Sequence, residues 1–198
     1  GAGGAVPITF GPVEALCAGW FHPSRTRARG VGVVVCQPVG YEGNCAHDTC
    51  RELSEVLARA GFAVVRFDYH GTGNSAGGDA DSSRVRAWLD SLSRAIAEVK
   101  RRGGVSVVSL VGIRLGATLA TQVASEQGGV ESLVLWAPCA SGRAFARELR
   151  AAALGRNEGD ASGTTDGIEA MGYLYTATTL RDLNRLDLLR LPAAPAKR

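Results

Sequence analysis

The 198-residue chain is 45% apolar and 21% charged, close to the soluble globular average, which excludes global disorder and fits one domain or part of a larger one. Its net charge of +3 arises from 22 basic and 19 acidic residues that are interspersed, with Lys100-Arg101-Arg102 as the longest basic block, so no nucleic-acid partner is expected. No apolar run approaches the roughly 18 residues of a membrane span, and no charged start with an apolar core marks a secretory leader.

Five cysteines (Cys17, Cys36, Cys45, Cys50 and Cys139) form no CxxC pair and read as reduced thiols of a cytoplasmic protein. Cys45, His47 and Cys50 lie close together, but a zinc site needs four ligands and no second cluster follows, so neither a metal nor another cofactor is expected.

In chain order, residues 6–10 and 15–21 read as short strands joined at Gly11-Pro12, and residues 24–30 as a polar connector. Val31 to Cys36 is a continuous β-branched run, the pattern of a strand covered on both faces. Residues 48–60 are predicted to be a helix with Cys50, Leu53, Val56, Leu57 and Ala60 on its buried face and Gly61 as its stop. Residues 62–67 are the next strand, and Asp68 to Gly77 is turn-rich. Val85, Trp88, Leu89, Leu92, Ile96 and Val99 then repeat at helical spacing, with Asp81, Ser82 or Ser83 as the cap and Gly103-Gly104 as the end.

A strand over 105–111, a helix from Gly116 to about Glu126, and a strand over 130–136 complete a β-α-β-α-β-α-β series. That series predicts an α/β fold: a mostly parallel, doubly wound sheet with helices on both faces. Residues 141–154 look helical, 155–167 are rich in Gly, Asp, Thr and Ser and are expected to be mobile, and 168–190 fit a short strand with one or two short helices. The whole of 1–198 is expected to be a single domain, incomplete at its C-terminus, with 141–190 as a lid or insertion and the Pro-Ala stretch 191–198 as a linker.

Ligands of open parallel sheets bind beyond the carboxyl ends of the strands. Here those ends lead into residues 37–47, 68–77 and 112–116. The last, Gly112-Ile-Arg-Leu-Gly116, stands between a strand and a helix in the manner of a nucleophile elbow, whose middle residue projects into the site. In a serine hydrolase that residue is serine; here it is Arg114.

On these residues the chain resembles an α/β-hydrolase of the serine-aminopeptidase-like kind, and most specifically the exosortase-A-associated hydrolases of bacterial exopolysaccharide gene clusters. Cys36-Gln-Pro-Val-Gly-Tyr-Glu42, Gly61-Phe-Ala-Val-Val-Arg-Phe-Asp-Tyr-His-Gly-Thr-Gly-Asn-Ser75, Gly112-Ile-Arg-Leu-Gly-Ala117 and Leu135-Trp-Ala-Pro138 carry the resemblance over roughly residues 6–190. It implies that Val39 and Gly40 occupy the oxyanion-loop position and that Leu115 offers the second backbone N–H. It also implies that Asp68 to Ser75 shapes the fold more than the chemistry.

Two departures from the family pattern follow. A guanidinium stays protonated and has no lone pair with which to attack a carbonyl, so acyl-enzyme chemistry at Arg114 is excluded. His22, His47 and His70 all precede the elbow, whereas this fold orders its triad Ser, Asp or Glu, His.

Arg114 is therefore expected either to pair with a nearby carboxylate or loop carbonyl, or to form an anion site at a helix N-terminus. Cys36 and Cys139 are weak alternative nucleophiles, and His47 or His70 could approach Cys36 as its base. The expected function is a non-catalytic hydrolase-like domain binding a small acyl or anionic ligand or a protein partner. The alternative is an active esterase, thioesterase or peptidase with a non-standard nucleophile and site residues beyond residue 198. A partner segment or continuation is expected to pair with the sheet edge that the missing later strands would leave open.

Overall fold

The β-branched run Val31–Cys36 becomes an inner strand of a six-stranded sheet, buried from Gly32 onward. The computed structural model describes residues 4–154, 167–191 and 194–197. Its strands are β1 (Val6–Phe10), β2 (Cys17–His22), β3 (Val31–Cys36), β4 (Ala63–Phe67), β5 (Val107–Ile113) and β6 (Val130–Trp136), in the spatial order β1-β2-β4-β3-β5-β6. β1, β2 and β4 pair antiparallel, while β4, β3, β5 and β6 run parallel.

Helices cover both faces, which explains why β3 is apolar at consecutive positions. On one face, Val33, Val35, Val64 and Ile113 pack with Cys50 of α1 (Tyr41–Arg59). On the other, Val34, Val65 and Leu110 pack with Trp88 and Leu92 of α2 (Arg84–Gly103) and Leu119 of α3 (Leu115–Gln127). Each such fully buried side chain contributes about 1.5–3 kcal/mol. The expected α/β sheet is thus observed, and all six predicted core positions of α2 are buried.

Local details differ from the sequence expectation. α1 begins at Tyr41 rather than 48, because Gly40, at φ 70, turns the chain directly from β3 into the helix. Its buried stripe is Cys50, Ser54 and Ala58, with Leu53 and Leu57 beside it, whereas Val56 is 51% exposed. β5 starts at Val107 instead of 105, since the backbone N–H of Val105 still caps α2 by donating to Lys100. Ser83 takes the cap position of α2 without a side-chain capping bond, while Asp81 accepts from the backbone of Gly78 and from His70.

After β6 the chain forms α4 (Gly142–Leu154), then a hairpin of β7 (Gly167–Ala170) and β8 (Tyr173–Thr176), then α5 (Ala177–Leu183). The hairpin replaces the single strand expected over 168–190; its two-residue turn, Met171-Gly172, has positive φ at both positions (52° and 82°). The mobile segment expected over 155–167 lies, apart from Gly167, outside the described residues. Lys197 lies against the start of β6, its backbone N–H donating to Val130 at 3.4 Å. Among the described residues β6 pairs only with β5, and its Val134, Leu135 and Trp136 are 53%, 39% and 54% exposed. No helix among the described residues is long and apolar enough to cross a membrane.

Candidate functional site

β5 delivers the chain to Arg114, which sits at φ 54 and ψ −125 before α3 begins at Leu115. A positive φ is costly for a residue with a Cβ and persists where surrounding contacts impose it. Here the Arg114 N–H donates to Trp136 at 3.0 Å, and the Arg114 carbonyl accepts from Ala117 at 3.1 Å and Cys139 at 3.4 Å. The flanking glycines make the turn possible. A Cβ on Gly112 would collide with the backbone of Ala117, and one on Gly116 with the carbonyl oxygens of Cys36 and Gln37. The Gly-x-x-x-Gly spacing thus produces the strained strand-to-helix turn expected of an elbow.

The Arg114 side chain is held by two carboxylates. Its Nε donates to Glu42 on the first turn of α1 at 2.9 Å, and a terminal nitrogen donates to Glu148 on α4. Burial works against the guanidinium charge, but the Glu42 hydrogen bond and the nearby Cys139, Glu42 and Glu148 outweigh it and raise the pKa of Arg114 above its ordinary value. Of the two sequence expectations for Arg114, the pairing with carboxylates is what the geometry contains. Neither carboxylate had been singled out. Glu42 lies within the Cys36–Glu42 segment that carries the family resemblance, whereas nothing local to Glu148 connects it with a residue 34 positions earlier.

Val39 and Gly40 lead from β3 into α1. Val39 is buried and lines a cavity of about 290 Å³ with Tyr41, Phe145, Leu149 and Tyr175, while Glu42 and Glu148 stand at the same cavity. The Phe145 and Tyr175 rings meet edge to face with centroids 6.1 Å apart. Gly40 packs under β8, where a Cβ would collide with the Tyr175 hydroxyl. Leu115 is fully buried among the α2 and α3 core residues, so its backbone, not its side chain, belongs to the elbow. The structure therefore brings Val39, Gly40 and Arg114 around one region through Glu42 and Glu148, with Leu115 as the following residue.

The thiols of Cys36 and Cys139 face inward. Cys36 is fully buried and burial pushes its pKa far above that of a free thiol, while Cys139 is pushed up to about 11, again chiefly by burial, with the Arg114 charge acting in the opposite direction. Both are thus protonated at neutral pH, and the thiolate is the reactive form. His70 is paired with Asp81 at 2.7 Å, His22 is buried beside Arg66, and His47 is exposed on α1. No hydrogen bond among the described residues joins a histidine to a cysteine or to Arg114. Cys45 is exposed and Cys50 buried, and no metal-binding group of three or more His, Cys, Asp or Glu occurs among the described residues.

Asp68 to Ser75 acts on the fold. The Ser75 hydroxyl donates to the Asp68 carbonyl at 2.6 Å and accepts from the Ala18 N–H at 2.9 Å, tying the loop after β4 to β2. The Asp68 carboxylate accepts from the Gln37 side chain at 3.3 Å and the Asn74 N–H at 3.1 Å.

Residues 42–156 match the family described as serine aminopeptidase, S33. Solved structures share the fold. A hypothetical protein from Pseudomonas aeruginosa is 15% identical, with a TM-score of 0.67 and 94% of this chain and 73% of that chain covered. An α/β serine hydrolase without a lid from Xanthomonas campestris is 24% identical (TM-score 0.53; 65% and 60% covered). An α/β serine hydrolase homologue from Coxiella burnetii is 18% identical (TM-score 0.54; 64% and 60% covered). The chain thus spans 60% of the length of the Xanthomonas and Coxiella proteins. No curated protein sequence matches the chain.

Proposed function

The chain belongs to the serine aminopeptidase S33 family of α/β-hydrolases, and from that premise we propose that this member is non-catalytic at its elbow and binds a small acyl ligand in the cavity between Val39 and α4. The observation that carries the proposal is Arg114 at the elbow apex, engaged by Glu42 and Glu148. Acyl transfer needs an attacking lone pair there, and a guanidinium supplies none.

The cavity wall is mostly apolar, and two carboxylates face one guanidinium, a balance that favours a neutral acyl group over a free anion. The backbone N–H groups of the Val39-Gly40 loop and of Leu115 are the donors we assign to the ligand carbonyl. The described parts of the 141–190 region that line this cavity, α4 and the β7–β8 hairpin, act as its lid. A cytoplasmic setting and a link to exopolysaccharide gene clusters belong to the same proposal.

Two measurements test it. A fluorophosphonate probe leaves the protein unlabelled, and methyl octanoate raises the melting temperature of the native protein but not of Leu149→Trp, which fills the cavity. Covalent capture of the probe overturns the non-catalytic part. Absence of any stabilisation by methyl octanoate overturns the binding part.

β6, which among the described residues pairs only with β5, favours a second reading, in which a strand from a protein partner or from a further segment completes both sheet and site of an active esterase, thioesterase or peptidase. Exposed Val134, Leu135 and Trp136 on an edge strand support such pairing. Turnover of p-nitrophenyl or thioester substrates by protein bearing that additional strand would establish this reading over the first.

A further inference from the structure

The loop after β3 separates two cavities of opposite character. Val39 faces the apolar one; Gly40 faces a second, of about 210 Å³, between the first turns of α1 and the loop that follows β4. Tyr173 and Tyr175, two apart on β8, share one face of the hairpin, and along that face Tyr175 lines the apolar cavity and Tyr173 the second. The two cavities are therefore neighbours across one glycine and two tyrosines.

The second cavity is polar. Asn44 donates from its side-chain amide to the Tyr173 hydroxyl at 2.7 Å, which leaves the phenolic proton and the Asn44 amide oxygen without a partner among the described residues. His47, one turn further along α1, also lines the cavity, and its ring has no hydrogen bond among the described residues. Thr72 and Asn74 approach from the loop after β4. Donors and acceptors are thus mixed on its wall.

Charge narrows the class of occupant. Among the described residues no lysine or arginine lines the cavity, and the one carboxylate there, Asp68, already accepts at both oxygens. A phosphate, sulfate or carboxylate would meet a negative group with no cation to balance it. A metal ion would find one carboxylate where hard cations take several oxygen ligands. A neutral group carrying several hydroxyls, each able to donate and accept, matches the wall. At about 210 Å³ the cavity is smaller than sites that take a whole drug-sized ligand, and suits a head group.

We propose that the cavity lined by Gly40, Asn44, His47, Thr72 and Tyr173 is a subsite for a neutral hydroxyl-rich head group, of the sugar or polyol kind, joined to the acyl chain held across Gly40. This rests on the acyl-binding reading for the neighbouring cavity and adds the chemistry of the ligand's other end.

Calorimetric titration with octanoyl glucose, methyl octanoate and octanoyl phosphate, and NMR titration with glucose alone, test it. Octanoyl glucose binds about tenfold more tightly than methyl octanoate, the gain of one or two neutral hydrogen bonds. Asn44→Leu, with Thr72→Val as a second variant on the other element, erases that difference and leaves methyl octanoate binding unchanged. Glucose alone shifts the Asn44 side-chain amide and His47 ring resonances. Equal affinity for the two esters, with no shift of those resonances by glucose, overturns the subsite. Tighter binding of octanoyl phosphate than of octanoyl glucose overturns its neutral character. Failure of methyl octanoate to bind while glucose still shifts Asn44 and His47 sinks the acyl-cavity reading and supports the subsite.

Discussion

Arg84 and Arg114 both contact the region that follows β6, but in opposite surroundings. Arg84 is fully buried at the start of α2 and forms no ion pair among the described residues: it donates to the carbonyls of Asp79 at 3.3 Å and Leu174 at 2.7 Å and lies over the rings of Trp88 and Tyr175 at 5.2 and 5.7 Å. Its Nε and second terminal nitrogen have no partner among the described residues, and burial lowers its pKa. Arg114 keeps 28% of its side chain exposed and is bonded by two carboxylates. A buried cation faced by rings and carbonyls is part of the packing that fastens the β7–β8 hairpin to α2. A part-exposed cation between carboxylates is screened by water and contributes little to the fold. The elbow arginine is thus free to be a chemical feature, while Arg84 is an anchor.

The contrast breaks most easily at Arg84. Arg84→Ala is expected to cost about 3–4 kcal/mol, from the cavity left behind and the carbonyls stranded by it, read as a fall in the urea midpoint. Arg84→Met, which keeps the volume and discards the charge, recovers most of that loss. A cost below about 1 kcal/mol for the alanine variant would place Arg84 with Arg114.

The same kind of buried arginine gives a pH dependence. Arg66, 6% exposed and 5.2 Å over the Trp20 ring, donates through Nε to His22 Nε2 at 3.3 Å, which requires His22 to be neutral. Burial, then the charge of Arg66, lowers the His22 pKa from 6.5 to about 4. The unfolded histidine takes up a proton first as pH falls. The stabilisation is therefore complete above pH 6.5 and is lost on descending toward pH 4. Its size is on the order of 3 kcal/mol. Urea midpoints measured across that window should decline, and His22→Asn should flatten the slope.

A smaller effect separates the backbone of the elbow from its side chain. Gly116→Ala forces a Cβ against two carbonyl oxygens and should cost about 2–3 kcal/mol. Arg114→Ala and Glu148→Gln should each change stability by only about 0–1 kcal/mol. Thermal melts of the three variants side by side measure the difference. A loss for Arg114→Ala as large as that for Gly116→Ala would mean that the ion pairs, and not the glycines, hold the turn.

Much of this was legible in the residues. The apolar run of β3, the helical repeat of α2 and the paired glycines around Arg114 each encode a local or face-by-face requirement that survives into the structure. The start of α1 was not legible, because Tyr41 to His47 carries little apolar periodicity and the helix there follows from the turn at Gly40. Glu148 was invisible as a site residue for a different reason: its meeting with Arg114 depends on how α4 packs, which no short-range pattern reports.

From the amino-acid order alone came the parallel sheet, the elbow turn and the exclusion of an attacking hydroxyl at its apex, since backbone sterics and side-chain chemistry act within a few residues. The carboxylate partners of Arg114, the tyrosines laid across Gly40 and the two unlike cavities beside it arose from packing between segments as far apart as Asn44 and Tyr173. Contacts of that separation exist only once the sheet has brought the segments together, so their geometry is a property of the folded chain.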